Sequence, residues 1–423
     1  IIMKRNVLFL VTIFCVAFVA AQNPLPKWEK GYLDIHHINT GRGNCTFLIF
    51  PDGTTMMIDA GDFDGDGFNA KYAPMFVPQI FPNNSYTAGS AIINYLIKLL
   101  GKEKPEIDYF LLTHFHSDHY GSIQETSGTS DNGYRLTGLT EVGDVIPIRN
   151  YVDRDYPNYD FPVDLLNNTN STGVELPTFT NLLKFLDYQK VHNGMKVEKF
   201  EVGSDKQFVL KKEPKSYPGF QVRNIKSNNI LWTGEGKKTV PLFTSEELLG
   251  KTGKYSENQM STVVVIKYGN FKYYTGGDNS GLVDQDHEEW YDIETPMAPV
   301  VGKVSAMSLN HHSNRDATNR KFLDVLDPKV VIAQSWCTDH PGAEVGQRLL
   351  SKNIGTQKRD VFMTYYHDET GFGIGPWFAR SIKAKEGHIV IRVYPDGTYE
   401  VYVLDARKAN LTIQKEFGPY ISE

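Results

Sequence analysis

Apolar and polar residues alternate along the early part of the chain. Tyr32 to Asn39, Cys45 to Phe50 and Thr55 to Asp59 are short runs of this kind, separated by Gly41, Gly43 and Pro51-Asp52-Gly53. Side chains of a strand point alternately to its two faces, and Gly/Pro breaks are where a chain reverses, so these runs predict a meander of antiparallel strands. The period then changes. Ile92, Ile93, Leu96, Leu99 and Leu100 recur at helical spacing and predict a helix over 91–100. Ile107 to Thr113 is a short apolar strand that ends at a histidine-rich turn. From about 123 to 257 the pattern is irregular and rich in Gly, Asn, Ser and Pro, with one helix near Phe179 to Val191, and reads as an insert on a scaffold. Strands return at Thr262 to Tyr268 and Phe271 to Tyr274, joined by the hairpin signal Gly269-Asn270. A strand over 304–309, a helix over 318–326, a strand over 329–333 and a helix over 346–351 follow. His388 to Tyr394 and Thr398 to Leu404 then flank Pro395-Asp396-Gly397 as a last hairpin. Meanders alternating with helices in two halves predict an α/β fold in which two sheets face each other with helices outside.

The N-terminus follows neither period. Lys4 and Arg5 precede an uncharged, mostly apolar run from Val7 to Ala20, and Val19-Ala20-Ala21 supplies small residues before Gln22. The run is shorter than the ~20 residues a membrane-spanning helix needs. It predicts a cleaved signal peptide over 1–21, a secreted or periplasmic protein, and no transmembrane segment after cleavage. The remainder divides into a main domain over 30–410 and a C-terminal tail over 411–423.

Composition narrows the function. Forty percent of the 423 residues are apolar and 12% aromatic, enough for a large core and unlike a disordered chain. Lys plus Arg number 44 against 50 Asp plus Glu, a net charge of −6 that becomes −8 once Lys4 and Arg5 leave with the signal peptide. Nucleic acid is therefore not favoured as a partner by charge. Three cysteines are too few for a disulfide scaffold, although Cys45 and Cys337 could pair in an oxidising compartment.

The chemistry is concentrated in Thr113-His114-Phe115-His116-Ser117-Asp118-His119. Three imidazoles and a carboxylate directly after an apolar strand suit a borderline divalent ion, zinc first, with manganese or iron as alternatives. On a tight turn His114 and His116 can point the same way, while Asp118 and His119 turn towards a second position ~3.5–4 Å away, the usual two-metal separation. No Gly-x-Ser-x-Gly elbow, phosphate-cradling Walker loop or dinucleotide fingerprint is present in the sequence.

This H-x-H-x-D-H spacing resembles the signature of the metallo-β-lactamase fold superfamily. Ile58-Asp59-Ala60-Gly61 looks like its first motif, whose aspartate orients the metal loop, and Thr275-Gly276-Gly277-Asp278 like the motif whose aspartate bridges two metals. Asn310-His311-His312-Ser313 and His340-Pro341 follow in the expected order. Within the superfamily the chain is most similar to the soluble hydrolase domain of the competence protein ComEC and its secreted relatives. The shared features are the G-x-G turn at Gly41-Arg42-Gly43, Asn258 to Ser261 before the hairpin, the double histidine and the later His-Pro, over roughly residues 32–355. The resemblance implies an αββα sandwich of two mixed sheets packed face to face with outer helices. It also implies two divalent ions, held by His114, His116, Asp118, His119, Asp278 and one of His311 and His312, with Asp59 supporting the loop.

The residues themselves sharpen these roles. Gly276 and Gly277 allow close approach before Asp278. On an extended segment His311 and His312 would point to opposite sides, so one is a ligand, with His311 favoured, and the other a support or substrate contact. Asp118 holds and orients the attacking water. His340, after a strand, hydrogen-bonds or protonates the leaving group. His36 and His37 read as packing, and His287, among Asp284, Asp286, Glu288 and Glu289, as a solvated acidic loop. Lys211, Lys212, Lys215, Arg223 and Lys226 read as an ordinary solvated strand rather than a phosphate-binding patch. Two features depart from the superfamily. The only histidine between His119 and Asp278 is His192, read as a solvated helix end, and Ser313-Asn314 stands where relatives have Gly-Ser.

The expected function is a secreted metallo-hydrolase acting on a small-molecule or polymer phosphodiester. Alternatives are a thioester or lactam hydrolase of the same fold, or a secreted binding protein with a structural metal.

Overall fold

Each alternating run becomes a strand whose successive side chains enter different cores. The computed structural model describes residues 23–101, 105–167, 173–249, 255–282 and 288–422; the signal peptide expected over 1–21 and His287 lie outside the described residues. One sheet begins with β1 (Leu33–His37), β2 (Thr46–Ile49), β3 (Thr55–Ile58), β4 (Ile107–Leu111), β5 (Ile148–Asp153) and β6 (Lys196–Lys199). The second holds β7 (Phe220–Ser227), β8 (Ile230–Trp232), β9 (Thr239–Pro241), β10 (Val263–Tyr268), β11 (Phe271–Thr275), β12 (Ala306–Ser308), β13 (Val330–Ala333) and β14 (Asp360–Met363). The chain then returns to the first sheet with β15 (His388–Val393), β16 (Thr398–Leu404) and β17 (Ile413–Ile421).

The strand orders are β17-β16-β15-β1-β2-β3-β4-β5-β6 and β14-β13-β12-β11-β10-β7-β8-β9. Both sheets are mixed: β3 to β6 run parallel, as do β11 to β14, and the remaining pairs are antiparallel.

Outer layers come from α1 (Gly65–Lys71), α2 (Ala88–Leu100), α3 (Ser117–Tyr120), α4 (Gly138–Val145), α5 (Leu176–Asn193), α6 (Ser245–Leu249), α7 (Glu294–Val301), α8 (Arg320–Leu326) and α9 (Ala343–Leu350). Met56, Ile58, Tyr109 and Leu111 pack between the sheets against Val264, Ile266 and Tyr273. Their neighbours Met57 and Phe110 face the other way, onto Leu96 of α2, Val142 of α4 and Phe179 of α5. Val263, Val265 and Tyr274 do the same for the second sheet, under Met297 of α7, Phe322 of α8 and Val345 of α9. Each fully buried apolar side chain of this kind contributes roughly 1.5–3 kcal/mol. The result is the expected αββα sandwich.

Two stretches differ from their sequence reading. The region taken as an insert at about 123–257 supplies β5 and β6 to the first sheet and β7 to β9 to the second. Its strands carry little apolar signal because β6 is largely exposed and β7 buries polar side chains such as Asn224, whose Nδ2 donates to the carbonyl of Glu201 at 2.9 Å. Residues 411–423, taken as a tail, contain β17, which pairs antiparallel with β16. Its exposed Lys415 and Glu416 hide a strand, as charges on edge strands commonly do. The carboxyl ends of β3, β4, β11, β12 and β13 lead into the segments carrying Asp59, the histidine motif, Asp278, the double histidine and His340. Ligands of open α/β sheets bind at such ends.

Candidate metal centre

The histidine motif leaves β4 at Leu111 and turns at once into the short helix α3. Two other segments seat this turn. The N–H of Asn44 donates to the carbonyl of Asp118 at 2.8 Å, and that of Ala60 to the carbonyl of His119 at 2.8 Å. A Cβ on either Gly43 or Gly61 would overlap the carbonyl oxygen of Asp118, so the G-x-G turn and the Asp59-Ala60-Gly61 motif both need glycine here. Gly61→Ala is expected to cost about 1–3 kcal/mol through overpacking and to weaken metal binding by displacing Asp118. Urea denaturation and metal titration read the two effects.

Asp59, in a left-handed backbone conformation at φ 62°, gathers the loop from below. Its carboxylate accepts the Thr113 N–H at 2.9 Å, the Thr113 hydroxyl at 2.8 Å and His119 Nδ1–H at 2.8 Å. With Nδ1–H committed to Asp59, His119 turns Nε2 towards the cluster, the ring nitrogen left for a metal. The Thr113 Oγ1 also lies 3.2 Å from His114 Nδ1, which orients that ring in the same sense.

The second sheet brings the opposing groups. Asp278 follows β11, and its N–H donates to Ser261 Oγ at 3.0 Å, which gives the serine of the Asn258–Ser261 motif a physical task. Asp278 Oδ2 is 3.2 Å from His119 Nε2, 3.2 Å from His312 Nε2 and 3.9 Å from His114 Nε2. His312 Nε2 is also 2.8 Å from Asp118 Oδ2, and its Nδ1 lies 3.0 Å from Asn44 Oδ1 and 3.2 Å from the carbonyl of Gln334.

His312, not the favoured His311, therefore faces the cluster. The argument from alternation failed because the segment is not extended: His311, His312 and Ser313 take φ of 47°, 52° and 68°. Such left-handed turns are strained for residues with a Cβ and collect at functional sites. His311 turns aside, with Nδ1 2.6 Å from Asp316 Oδ1 and Nε2 3.2 Å from Asn258 Nδ2.

His340 packs beside the cluster. Its ring stacks on His312 with centroids 5.1 Å apart, and Nδ1 accepts long bonds from the N–H groups of Trp336 and Cys337 at 3.5 and 3.4 Å. Burial pushes its pKa down to about 3, against the opposing pull of Asp339. His114 lies between His119 and His116, with ring centroids 4.1 and 4.8 Å away.

Asp118, His119, Asp278 and His312 each offer a ligand atom, all within 4.8 Å of one another. Nε2 of His114 and Oδ1 of Asp278 are buried without hydrogen-bond partners, and Nε2 of His119 and His312 meet only the carboxylates of Asp118 and Asp278. Each such atom costs ~1–3 kcal/mol if left unsatisfied, so their convergence fits a divalent cation with a mixed N/O donor set. Electrostatics agree. Burial alone would lower the imidazoles, yet Asp278, Asp118 and Asp59 hold His119 well above its usual range. Asp278 and Asp118 likewise lift His312 to about 9 against burial. The carboxylates thus demand positive charge at this point. His114 is instead held well below its usual range by burial and by His119, and stays neutral.

Several supporting groups carry no motif. Arg154 and Glu257 form a fully buried bidentate pair at 2.6 and 2.8 Å, and Glu257 Oε1 also accepts the N–H of Phe115 at 3.1 Å. Buried Lys226 donates to the carbonyls of Gln259 and Ser261 and, at 2.8 Å, to Asn279 Oδ1. Lys226 is therefore no part of a solvated strand, and Arg223 pairs with Asp205 at 2.8 Å. His192 stacks on Tyr188 at the end of α5, His36 and His37 bond to the hydroxyls of Tyr95 and Tyr273, and Cys45 and Cys337 are buried and unpaired.

Residues 38–162 match the family model of the metallo-beta-lactamase superfamily. Among solved structures the chain is similar to a protein of Parabacteroides distasonis ATCC 8503 provisionally described as a metal-dependent hydrolase, at 13% identity over 81% of this chain and 97% of that one, with a TM-score of 0.36. It is also similar to human tRNase Z, short form (ELAC1), at 11% identity over 70% of this chain and 91% of that one, with a TM-score of 0.29. A comparison with curated proteins found no match. Residues 38–162 thus match the metallo-beta-lactamase superfamily model within an αββα sandwich of the kind that superfamily adopts, and the His/Asp cluster beside them is a candidate divalent-metal site.

Proposed function

We propose that this chain is a secreted phosphodiesterase that works with two divalent ions, zinc first, at the His/Asp cluster. The observation that carries the hydrolase reading is the set of buried imidazole nitrogens and carboxylate oxygens converging around Asp278. The phosphodiester class rests on the ComEC-like motifs, and secretion on the charged-then-apolar start of the chain. Among the described residues no helix is long and apolar enough to cross a membrane.

His114, His116 and Asp278 would hold one ion, and Asp118, His119, His312 and Asp278 the other. Ions in these positions supply Lewis acidity and lower the pKa of water towards ~7. Asp59, Thr113, Asn44 and Ser261 fix the direction of the ligand atoms before substrate arrives. Asp118 orients the attacking water. His311, held by Asp316, contacts the substrate beside the cluster.

Metal content tests the centre. Two ions per chain are expected, the one on His114 and His116 bound more weakly because it has fewer protein ligands. Elemental analysis after graded chelation should show one ion lost first, together with activity. A single ion that survives chelation with full activity would defeat the two-ion reading. The substrate class is tested by assaying the metal-loaded protein on bis-p-nitrophenyl phosphate, phosphorylcholine esters, single-stranded DNA and thioesters. Turnover of thioesters alone would replace the phosphodiesterase reading with the thioester one.

A further inference from the structure

A second polar cavity lies at the opposite end of the sandwich, where the parallel strands of the second sheet begin. It measures about 250 Å³, and Lys267, Lys272, Lys303, Ser305 and Lys329 line it. These lysines are scattered in sequence and gathered by topology. The hairpin register sets Lys267 directly opposite Lys272 across β10 and β11. Parallel pairing aligns Tyr273 with Ala306 and Ala306 with Val330, so the preceding residues Lys272, Ser305 and Lys329 stand side by side at the strand starts.

Like charges directly opposite each other in a sheet are destabilising. Lys272 is half-buried, and both burial and the charge of Lys267 push its ammonium below the usual lysine range. Its Nζ donates to the carbonyl of Val301, a neutral acceptor that leaves the charge uncompensated. Asp360 lies 3.6 Å from Lys329, but it also lies 3.5 Å from Lys383 and accepts the hydroxyl of Tyr420 at 3.0 Å. Ser305 Oγ accepts the N–H of Lys272 at 3.3 Å and keeps its own proton to offer. In a chain of net charge −6, four ammonium groups and a hydroxyl around one concavity do not follow from bulk composition.

We propose that this cavity binds a phosphate-type oxyanion, at a site distinct from the His/Asp cluster. The anion sits among the lysines and relieves the repulsion between Lys267 and Lys272. The volume is below the ~300–1,000 Å³ of pockets for drug-sized ligands and leaves room for a hydrated phosphate or a diester linkage. Free phosphate and the backbone of a phosphodiester polymer share this chemistry.

Titration calorimetry on the metal-loaded protein decides it, with inorganic phosphate, tripolyphosphate and a short single-stranded DNA as probes. Wild type should show a phosphate-binding event beyond any at the metal centre. In Lys267→Gln/Lys303→Gln that event should weaken at least about tenfold, while turnover of bis-p-nitrophenyl phosphate stays within about twofold. Lys329→Gln provides a second variant should the first fold poorly, and should weaken the same event. If DNA is the tighter probe, its log–log salt slope should become less negative by about 1.4 when two lysines are removed, at ~0.7 per phosphate contact on single strands. That outcome assigns the site to a polymer backbone, whereas equal or tighter binding of the inorganic anions assigns it to a free oxyanion. Unchanged phosphate binding in both variants, or wild-type binding at the metal centre alone, would overturn the proposal.

Discussion

Asp278→Ala should lower hydrolysis by at least about a thousandfold and strip metal from both sides of the cluster. Its Oδ2 is the atom that His119 and His312 approach at 3.2 Å and His114 at 3.9 Å, whereas Asp118 approaches only His119 and His312. A metal centre supplies several kcal/mol of transition-state stabilisation, and each ~1.4 kcal/mol is tenfold in rate. The loss should be equal on nitrophenyl and alkyl diesters, because a missing centre penalises every leaving group alike. Ser261→Ala, which removes only the acceptor for the Asp278 N–H, should fall in the ~10–100-fold range of groups that orient ligands. Steady-state kinetics with metal analysis check both. Near-wild-type rates in a metal-depleted Asp278→Ala protein would dissociate the cluster from the chemistry.

Glu257→Gln should be the most destabilising single change near the site, at about 3–5 kcal/mol, because it removes the carboxylate that holds buried Arg154 through two hydrogen bonds. Arg154 Nη1 keeps its bonds to the carbonyl of Phe161 at 2.9 Å and to Asn228 Oδ1 at 3.0 Å, and the nearest remaining carboxylate, Asp155, is 3.9 Å away and already engaged by Lys199 at 2.9 Å. The change also reaches the metal loop. Glu257 accepts the N–H of Phe115, and the guanidinium of Arg154 sits 4.8 Å from the Phe115 ring, between the two histidines His114 and His116. Metal affinity should therefore fall along with stability. Urea denaturation of Glu257→Gln, Arg154→Met and the double variant measures the coupling. The double variant should recover most of the stability, since removing both members of a buried pair is far less costly than removing one. Additive losses would show that the pair acts as two separate residues.

What the sequence determined by itself is local. Alternating and short apolar runs between turn residues placed β1 to β4, β10 to β13, β15 and β16, because a strand's pattern records which side chains enter a core, whatever lies on the far side of it. The spacing of His114, His116, Asp118 and His119 marked a metal-type donor set, because those residue types rarely crowd together without a cation to share. Gly43 and Gly61 were visible as turn residues, though not as the two walls against the carbonyl of Asp118.

What the tertiary structure decided depends on partners distant in the chain. Which of His311 and His312 turns inward follows from a left-handed turn held by Gly277 and Asp316, and adjacent histidines carry no signature of it. β5 to β9 and β17 were missed because they bury polar groups, are short, or expose charged edges, which cancels the apolar contrast that pattern reading needs. Arg154 with Glu257, and the lysines around the second cavity, acquire meaning only when residues tens of positions apart are packed together. There burial turns an ordinary surface charge into one that must find a counter-charge.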